Sequence, residues 1–257
     1  MDRRTGNLRR TFLRHGQRFS ARITTRTTNA LMLTRLRRIT HHLLQPDCAF
    51  CGEPRLPDYP LCQACHDDLP WLAAHHNHAI PGCDNSISAF AYQTPISSLL
   101  LSIKFGKRLR DLTTLGELTA VGILPQISQL PQAILPVPLH PQRLHERGFN
   151  QALELARPLA KQLGIPLLTR TVVRQKATLR QTELDSTQRQ QNVLQAFHLN
   201  APLPYTRIAL FDDVITTGAT LHSLAQLLRA NGVQHLEAWS CARPIQRQKH
   251  EFDRQID

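Results

Sequence analysis

The residues best suited to chemistry stand together in one stretch, residues 208–220, IALFDDVITTGAT. The apolar run 208–211 predicts a short buried strand, followed at once by two carboxylates, Asp212 and Asp213. A turn of small residues follows: Thr216, Thr217, Gly218, Ala219 and Thr220. Leu221, Leu224, Ala225, Leu227 and Leu228 then recur at helical spacing. Ligands of open α/β sheets sit at the carboxyl ends of strands, where this acidic pair falls. Carboxylates placed there accept hydrogen bonds from sugar hydroxyls. The turn offers successive backbone N–H groups, Gly218 allows positive φ, and a helix N-terminus points at the same place. Together these make an anion site suited to a phosphate. The helix dipole favours each negative charge by about 0.3–1 kcal/mol. Acids beside a phosphate nest repel the ligand unless each group meets a different part of it. A ribose 5-phosphate meets that condition, with hydroxyls on the acids and phosphate in the nest. No GxxxxGK[ST] run is present, and no GxGxxG follows a strand.

A second constellation lies near the other end. Cys48, Cys51, Cys62 and Cys65 form C-x2-C-x10-C-x2-C. Doubled pairs at this spacing predict a tetrahedral structural zinc site, closed by four thiolates. Such a site supplies about 10–16 kcal/mol of apparent binding energy to a module with almost no core. His66 is adjacent to Cys65 and competes as a ligand, though the four cysteines suffice. His75, His76, His78 and Cys83 form a further group with metal-ligating side chains. Paired thiols without a secretory signal point to a reducing compartment, the cytoplasm.

The net charge of +12 is unevenly spread. Residues 1–40 carry eleven arginines against the single acid Asp2, so the remaining 217 residues contribute only +2. The tail reads in three ways: a disordered basic arm that touches nucleic acid or anionic lipid, a transit peptide, or an over-long start ahead of Met32. No apolar run approaches the roughly 18 residues of a membrane span.

Positioning these groups falls to strands and helices in alternation. Strands are expected at 86–92, 133–139, 167–173, 193–199, 208–211 and 235–241. Helices are expected at 36–44, 99–103, 112–124, 151–164 and 221–230. Residues 141–150 (PQRLHERGFN) read as a basic loop, residues 174–191 as a mobile polar segment, and the end from Arg243 as frayed. The order implies an α/β fold with a parallel sheet. The expected divisions are a basic tail 1–40, a cysteine module 41–72, linker and hood elements 73–130, a ligand-binding domain 131–245 and a frayed end 246–257.

The stretch 208–220 resembles the 5-phosphoribosyl-1-diphosphate (PRPP) signature of type I phosphoribosyltransferases, matching at strand, both acids and the TTGxT turn. Residues 135–151 (LPVPLHPQRLHERGFNQ), residues 178–197 (TLRQTELDSTQRQQNVLQAF) and the cysteine head resemble the ComF family. The family's further cysteines before the 86–92 strand are reduced here to Cys83. The resemblance covers 36–243. It implies a type I phosphoribosyltransferase-like parallel sheet with a small N-terminal zinc-knuckle module, linked to competence and the use of external DNA. It implies that Asp212 and Asp213 are the catalytic acids and that Thr216 to Thr220 hold the 5-phosphate. The diphosphate, carried with Mg²⁺, would meet Leu139, His140, Arg143 and Arg147, with Lys104, Arg174 and Lys176 as further cations. The implied reaction transfers phosphoribosyl to an unknown acceptor. The alternative is a PRPP sensor or a single-stranded-DNA-binding accessory of DNA uptake, working with other competence proteins.

Overall fold

Among the described residues, four strands build the main sheet: β1 (Asn85–Ala91), β2 (Ala133–Pro136), β5 (Arg207–Val214) and β6 (His235–Arg243). The computed structural model describes residues 47–106, 109–174 and 196–245. The basic tail, the Met32 start, the 36–44 helix, Lys176, the rest of the 174–191 segment and the end from 246 lie outside them. In space the strands run β1-β6-β5-β2, and every neighbouring pair is parallel. A short antiparallel pair, β3 (Val172–Arg174) with β4 (Phe197–Leu199), stands apart from it. The expected α/β class and parallel sheet are therefore present.

Both alternating sets of side chains in these strands are largely buried. A parallel sheet is covered on both faces, so both sets of side chains are buried. In β5, Ile208 and Leu210 enter one apolar cluster, while Ala209 and Phe211 enter the other. The first cluster is closed by α6 (Ala219–Ala230) and the β3–β4 pair. The second is closed by α2 (Ile96–Gly106), α3 (Leu109–Ile123) and α5 (Gln151–Leu163). α5 ends where Gly164 takes the left-handed conformation, φ +66°, as a C-terminal cap. No helix among the described residues is long and apolar enough to cross a membrane.

Packing of α3 on β1 is close enough to exclude a methyl group. A Cβ on Gly122 would lie 2.7 Å from Ala89 Cβ and 3.0 Å from Ala89 Cα. Overpacking costs about 1–3 kcal/mol, against about 1 kcal/mol gained from alanine's helix preference. Gly122→Ala should therefore lose about 1 kcal/mol and lower the thermal midpoint by about 2–4 °C. A scanning calorimetry midpoint at or above the parent's contradicts this contact.

Four local expectations need correction. Residues 141–147 are helical: α4 (Pro141–Arg147) begins with proline at its first position and ends on Gly148 at φ +81°, whose N–H meets Leu144 O at 2.8 Å. Both punctuation signals were present; the run of basic residues masked them. The acids lie inside β5 instead of after it, because β6 continues beside them and Asp212 pairs with Ser240. The strand expected at 167–173 forms only at its end. Leu167 makes one bridge to Ile134, and Pro166 brings no N–H to the ladder. Arg243 is buried at the end of β6, donating to His78 O at 2.9 Å and Ser86 Oγ at 2.7 Å.

Candidate functional site

A cleft of about 150 Å³ opens at the carboxyl ends of β2 and β5. β5 delivers Asp212 and Asp213 there, both half-buried. Both carboxyl groups line the same cleft, close enough for Asp213 to hydrogen-bond the Asp212 carboxyl. The charge of Asp213 is felt by Arg147, and that of Asp212 by Arg174. Each carboxylate also accepts a backbone N–H from the next residue, Asp213 N to Asp212 Oδ1 at 2.9 Å and Val214 N to Asp213 Oδ1 at 3.0 Å. Burial, then the charge and hydrogen bond of Asp213, push the Asp212 carboxyl well above its ordinary value; Arg174 only partly opposes them. Burial draws the Arg147 guanidinium below its ordinary value, with Arg143 adding to this and Asp213 resisting it. Arg174 shifts the same way through burial and Arg143, resisted by Asp212.

Of the residues expected from sequence, the cleft gathers Lys104, Leu139, Arg143, Arg147, Arg174, Asp212, Asp213 and Thr220 on its walls. Thr216, Thr217 and Gly218, in the turn before α6, and Ala219, its first residue, do not line it. His140 stays outside because it caps α4, its Nδ1 accepting from Gln142 N at 3.3 Å. The turn itself suits an anion. Gly218 sits at the N-terminus of α6 with φ +75°, and among the described residues no side chain caps that end.

Asn150 and Gln151 also line the cleft, and sequence reasoning passed over both. Asn150 Oδ1 caps α5 by accepting from Ala152 N at 3.1 Å and Leu153 N at 3.4 Å. Its Nδ2 donates to Val137 O at 3.0 Å, tying α5 to the chain leaving β2. An asparagine directly before a helical pattern was the available signal. Gln151 is buried, with Nε2 donating to Leu100 O at 3.4 Å and Oε1 meeting no partner among the described residues. Nothing in its sequence context marks it.

The cysteine head is a separate centre. Its four sulfurs lie within 4.8 Å of one another, and Cys51 Sγ is 3.6 Å from Cys62 Sγ. A zinc ion with bonds of about 2.3 Å needs tetrahedron edges of about 3.8 Å, so the set fits. Gly52, φ +80°, turns the first knuckle back so that its N–H reaches Cys48 O at 3.0 Å. Cys62 and Cys65 flank the first turn of α1 (Gln63–Asp67). Burial alone would raise the Cys48 thiol, but N–H groups of Cys51, Cys62 and Phe50 outweigh it and hold it near about 6. His66 is engaged elsewhere, its Nδ1 2.7 Å from Tyr59 Oη. Among the described residues no second metal cluster forms around His75, His76, His78 and Cys83. Burial, with the charge of Asp84, pushes the Cys83 thiol up to about 12.

The head is fastened to the sheet. Trp71 Nε1 donates to His66 O at 3.0 Å, and its ring stacks 4.6 Å from that of Phe90 on β1. Leu61 and Leu69 enter the same apolar cluster as Ile87 and Phe90.

No protein-family model matches the chain. Competence protein F of Haemophilus influenzae is 35% identical over 206 residues, spanning 76% of this chain and 90% of that protein. The chain belongs to the ComF family. DNA utilization protein YhgH of Escherichia coli K12 is 31% identical to this ComF chain over 210 residues, spanning 77% of it and 90% of the relative. Competence protein ComFC of Bacillus subtilis is 25% identical over 199 residues, spanning 77% and 76%. A hypoxanthine phosphoribosyltransferase of Staphylococcus aureus superposes on the ComF chain with a TM-score of 0.33 at 12% identity. It covers 52% of this chain and 64% of that one, a likeness too slight to carry weight.

Proposed function

We propose that this ComF chain binds PRPP across the end of β5 and transfers its phosphoribosyl group to an acceptor, within the uptake or use of external DNA. One observation carries this reading. Two acids at the end of an inner strand line one cleft with Arg143, Arg147 and Arg174, beside a helix headed by Gly218. A sugar with hydroxyls, a phosphate and a diphosphate needs acids, cations and an anion-binding turn side by side. Asp212 and Asp213 hold the ribose hydroxyls, and the Thr216 to Thr220 turn holds the 5-phosphate. Backbone near Leu139, with Arg143 and Arg147, meets the diphosphate, and Lys104 and Arg174 add charge from the opposite walls.

In the proposed reaction the anomeric carbon parts from the diphosphate oxygen, which keeps the bonding pair, and joins the acceptor. Carboxylates beside the ribose stabilise the positive charge that develops, and cations stabilise the leaving group. Magnesium prefers oxygen donors, which phosphate oxygens, water and the two aspartates provide; it supplies charge neutralisation at the diphosphate. The cysteine cluster holds structural zinc. Its reduced thiols support a cytoplasmic location.

Incubation with Mg²⁺, PRPP and a panel of nucleobases and amines tests transfer. Acceptor-dependent release of diphosphate is expected. PRPP binding with no release across the panel favours a sensor. Arg147→Ala should weaken PRPP binding about 10- to 100-fold, the loss of one charge-assisted hydrogen bond pair; unchanged affinity by calorimetry removes Arg147 from the diphosphate site.

A second reading rests on the cations gathered at the cleft, Lys104, Arg143, Arg147 and Arg174. They suit a phosphate backbone, and relatives carry names tied to competence and DNA utilization. Single-strand affinity that falls steeply with salt and on Arg143→Ala with Arg147→Ala supports it; salt-indifferent or absent binding discards it.

A further inference from the structure

We propose that Ile80 is a positioning residue for the phosphate-binding turn, acting as the head of a buttress formed by residues 80–84. The inference rests on the phosphate-site reading above and extends it to a segment with no place in that site. Residues 75–83 drew attention in the sequence for their histidines and Cys83, and no metal cluster forms there among the described residues.

The turn needs an external support because it supplies little of its own. Gly218 holds φ +75°, a conformation open to glycine and costly for other residues. Among the described residues no side chain caps α6 at Gly218, and within the turn Ala219 N reaches Thr217 Oγ1 only at 3.4 Å. A capping side chain would occupy the N–H groups that a phosphate uses. The described contacts instead come from outside the helix. Ile80 is buried, and its Cδ1 lies 2.6 Å from where a Cβ on Gly218 would stand. Pro81 O meets His222 Nδ1 at 2.8 Å, one turn into α6. Gly82, φ +86°, runs so close that a Cβ there would be 2.9 Å from Ala225 Cβ, and its carbonyl accepts from Arg229 Nε at 3.3 Å. Asp84 closes the far end, bonded to Arg229 at 2.6 Å and to Leu236 N at 2.8 Å. Residues 80–84 thus follow α6 from its N-terminal glycine to its last turn, and Ile80 fills the space beside Gly218, whose left-handed φ leads the turn into the helix.

The test compares two truncations in the same apolar cluster, Ile80→Ala beside Gly218 and Leu228→Ala near the other end of α6. Both should lower the thermal midpoint. Calorimetric titration with Mg–PRPP, well below either midpoint, separates them. Ile80→Ala should weaken binding about 10-fold or more, the cost of a misdirected binding group. Leu228→Ala should stay within about threefold of the parent by the same argument, and Ile80→Val, which keeps a branched side chain over Gly218, should recover most of the loss. If Ile80→Ala does not fold, His222→Phe, which removes the bond to Pro81 O, should weaken binding by several-fold. Equal affinities for Ile80→Ala and Leu228→Ala, or for His222→Phe and the parent, overturn the assignment and leave the phosphate site standing. A parent chain that ignores Mg–PRPP overturns the site itself and the assignment with it.

Discussion

Asp212→Asn combined with Asp213→Asn is expected to abolish PRPP binding while leaving the folded chain at least as heat-stable as its parent. The two halves of that result have separate causes. Burial and the neighbouring carboxylate raise the Asp212 carboxyl well above its ordinary value, so its ionised form is disfavoured in the fold. The sign follows from linkage. A folded-state value above the unfolded one means the native chain binds the proton more tightly than the unfolded chain does. Stability from this group is then lost as pH rises from the ordinary carboxylate range through the raised value, and the deficit is complete above it. Asparagine removes the deficit, so the unliganded variant should gain about 0.5–2 kcal/mol near neutral pH, a midpoint rise of a few degrees. The gain should shrink as pH falls toward the ordinary carboxylate range. Binding goes the other way, because an amide accepts sugar hydroxyls less strongly and offers no negative charge to the reacting carbon. A variant that loses binding and also unfolds more readily at neutral pH would show that the acids hold the fold together, not the ligand.

The second large effect concerns the head. Cys48→Ser should remove zinc and lower the thermal midpoint by about 8–16 °C, corresponding to a loss of about 4 kcal/mol or more for a structural metal. The damage should not stop at the knuckles. Cys48, Leu61 and Leu69 are buried in the cluster that also contains Ile87, Phe90 and Trp239 of the sheet. Trp71, stacked between His66 and Phe90, carries the connection. Elemental analysis paired with scanning calorimetry checks this. One zinc per chain in the variant, or an unchanged midpoint, contradicts a four-thiolate structural site.

Much of this arrangement was readable from local pattern. The four strands of the main sheet were expected, because a buried parallel strand must be a largely apolar run and turn residues bound it; the other two expected strands survive only as the three-residue antiparallel pair β3 and β4. The four cysteines were equally legible, since tetrahedral ligation constrains spacing within each pair and leaves the loop between pairs free. What escaped was set by partners distant in sequence. Asp212 reads as a residue beyond a strand, yet β6 keeps pairing past it and makes it a strand residue. Arg243 reads as part of a charged tail, and only the approach of His78 and Ser86 makes its burial tolerable. Helix α4 is a different failure: the signals were local, a proline at the start and a glycine at the end, and charge was given more weight than punctuation. Gln151 and Ile80 act through contacts with Leu100 and Gly218 that no window of sequence contains. The histidines near residue 76 left a second metal site open, and among the described residues no such cluster forms.

The central claim is that a sugar bearing phosphates is held across the end of β5, with acids on its hydroxyls and the Gly218 turn on its phosphate. Scanning calorimetry of the full chain with and without Mg–PRPP tests it most directly. At a ligand concentration one hundred times the dissociation constant, a single site adds about 2.7 kcal/mol. The account predicts a midpoint rise of about 5–10 °C that saturates with ligand and vanishes in the Asp212→Asn, Asp213→Asn variant. A midpoint that stays put at millimolar Mg–PRPP, in a chain shown to be folded and zinc-loaded, contradicts it.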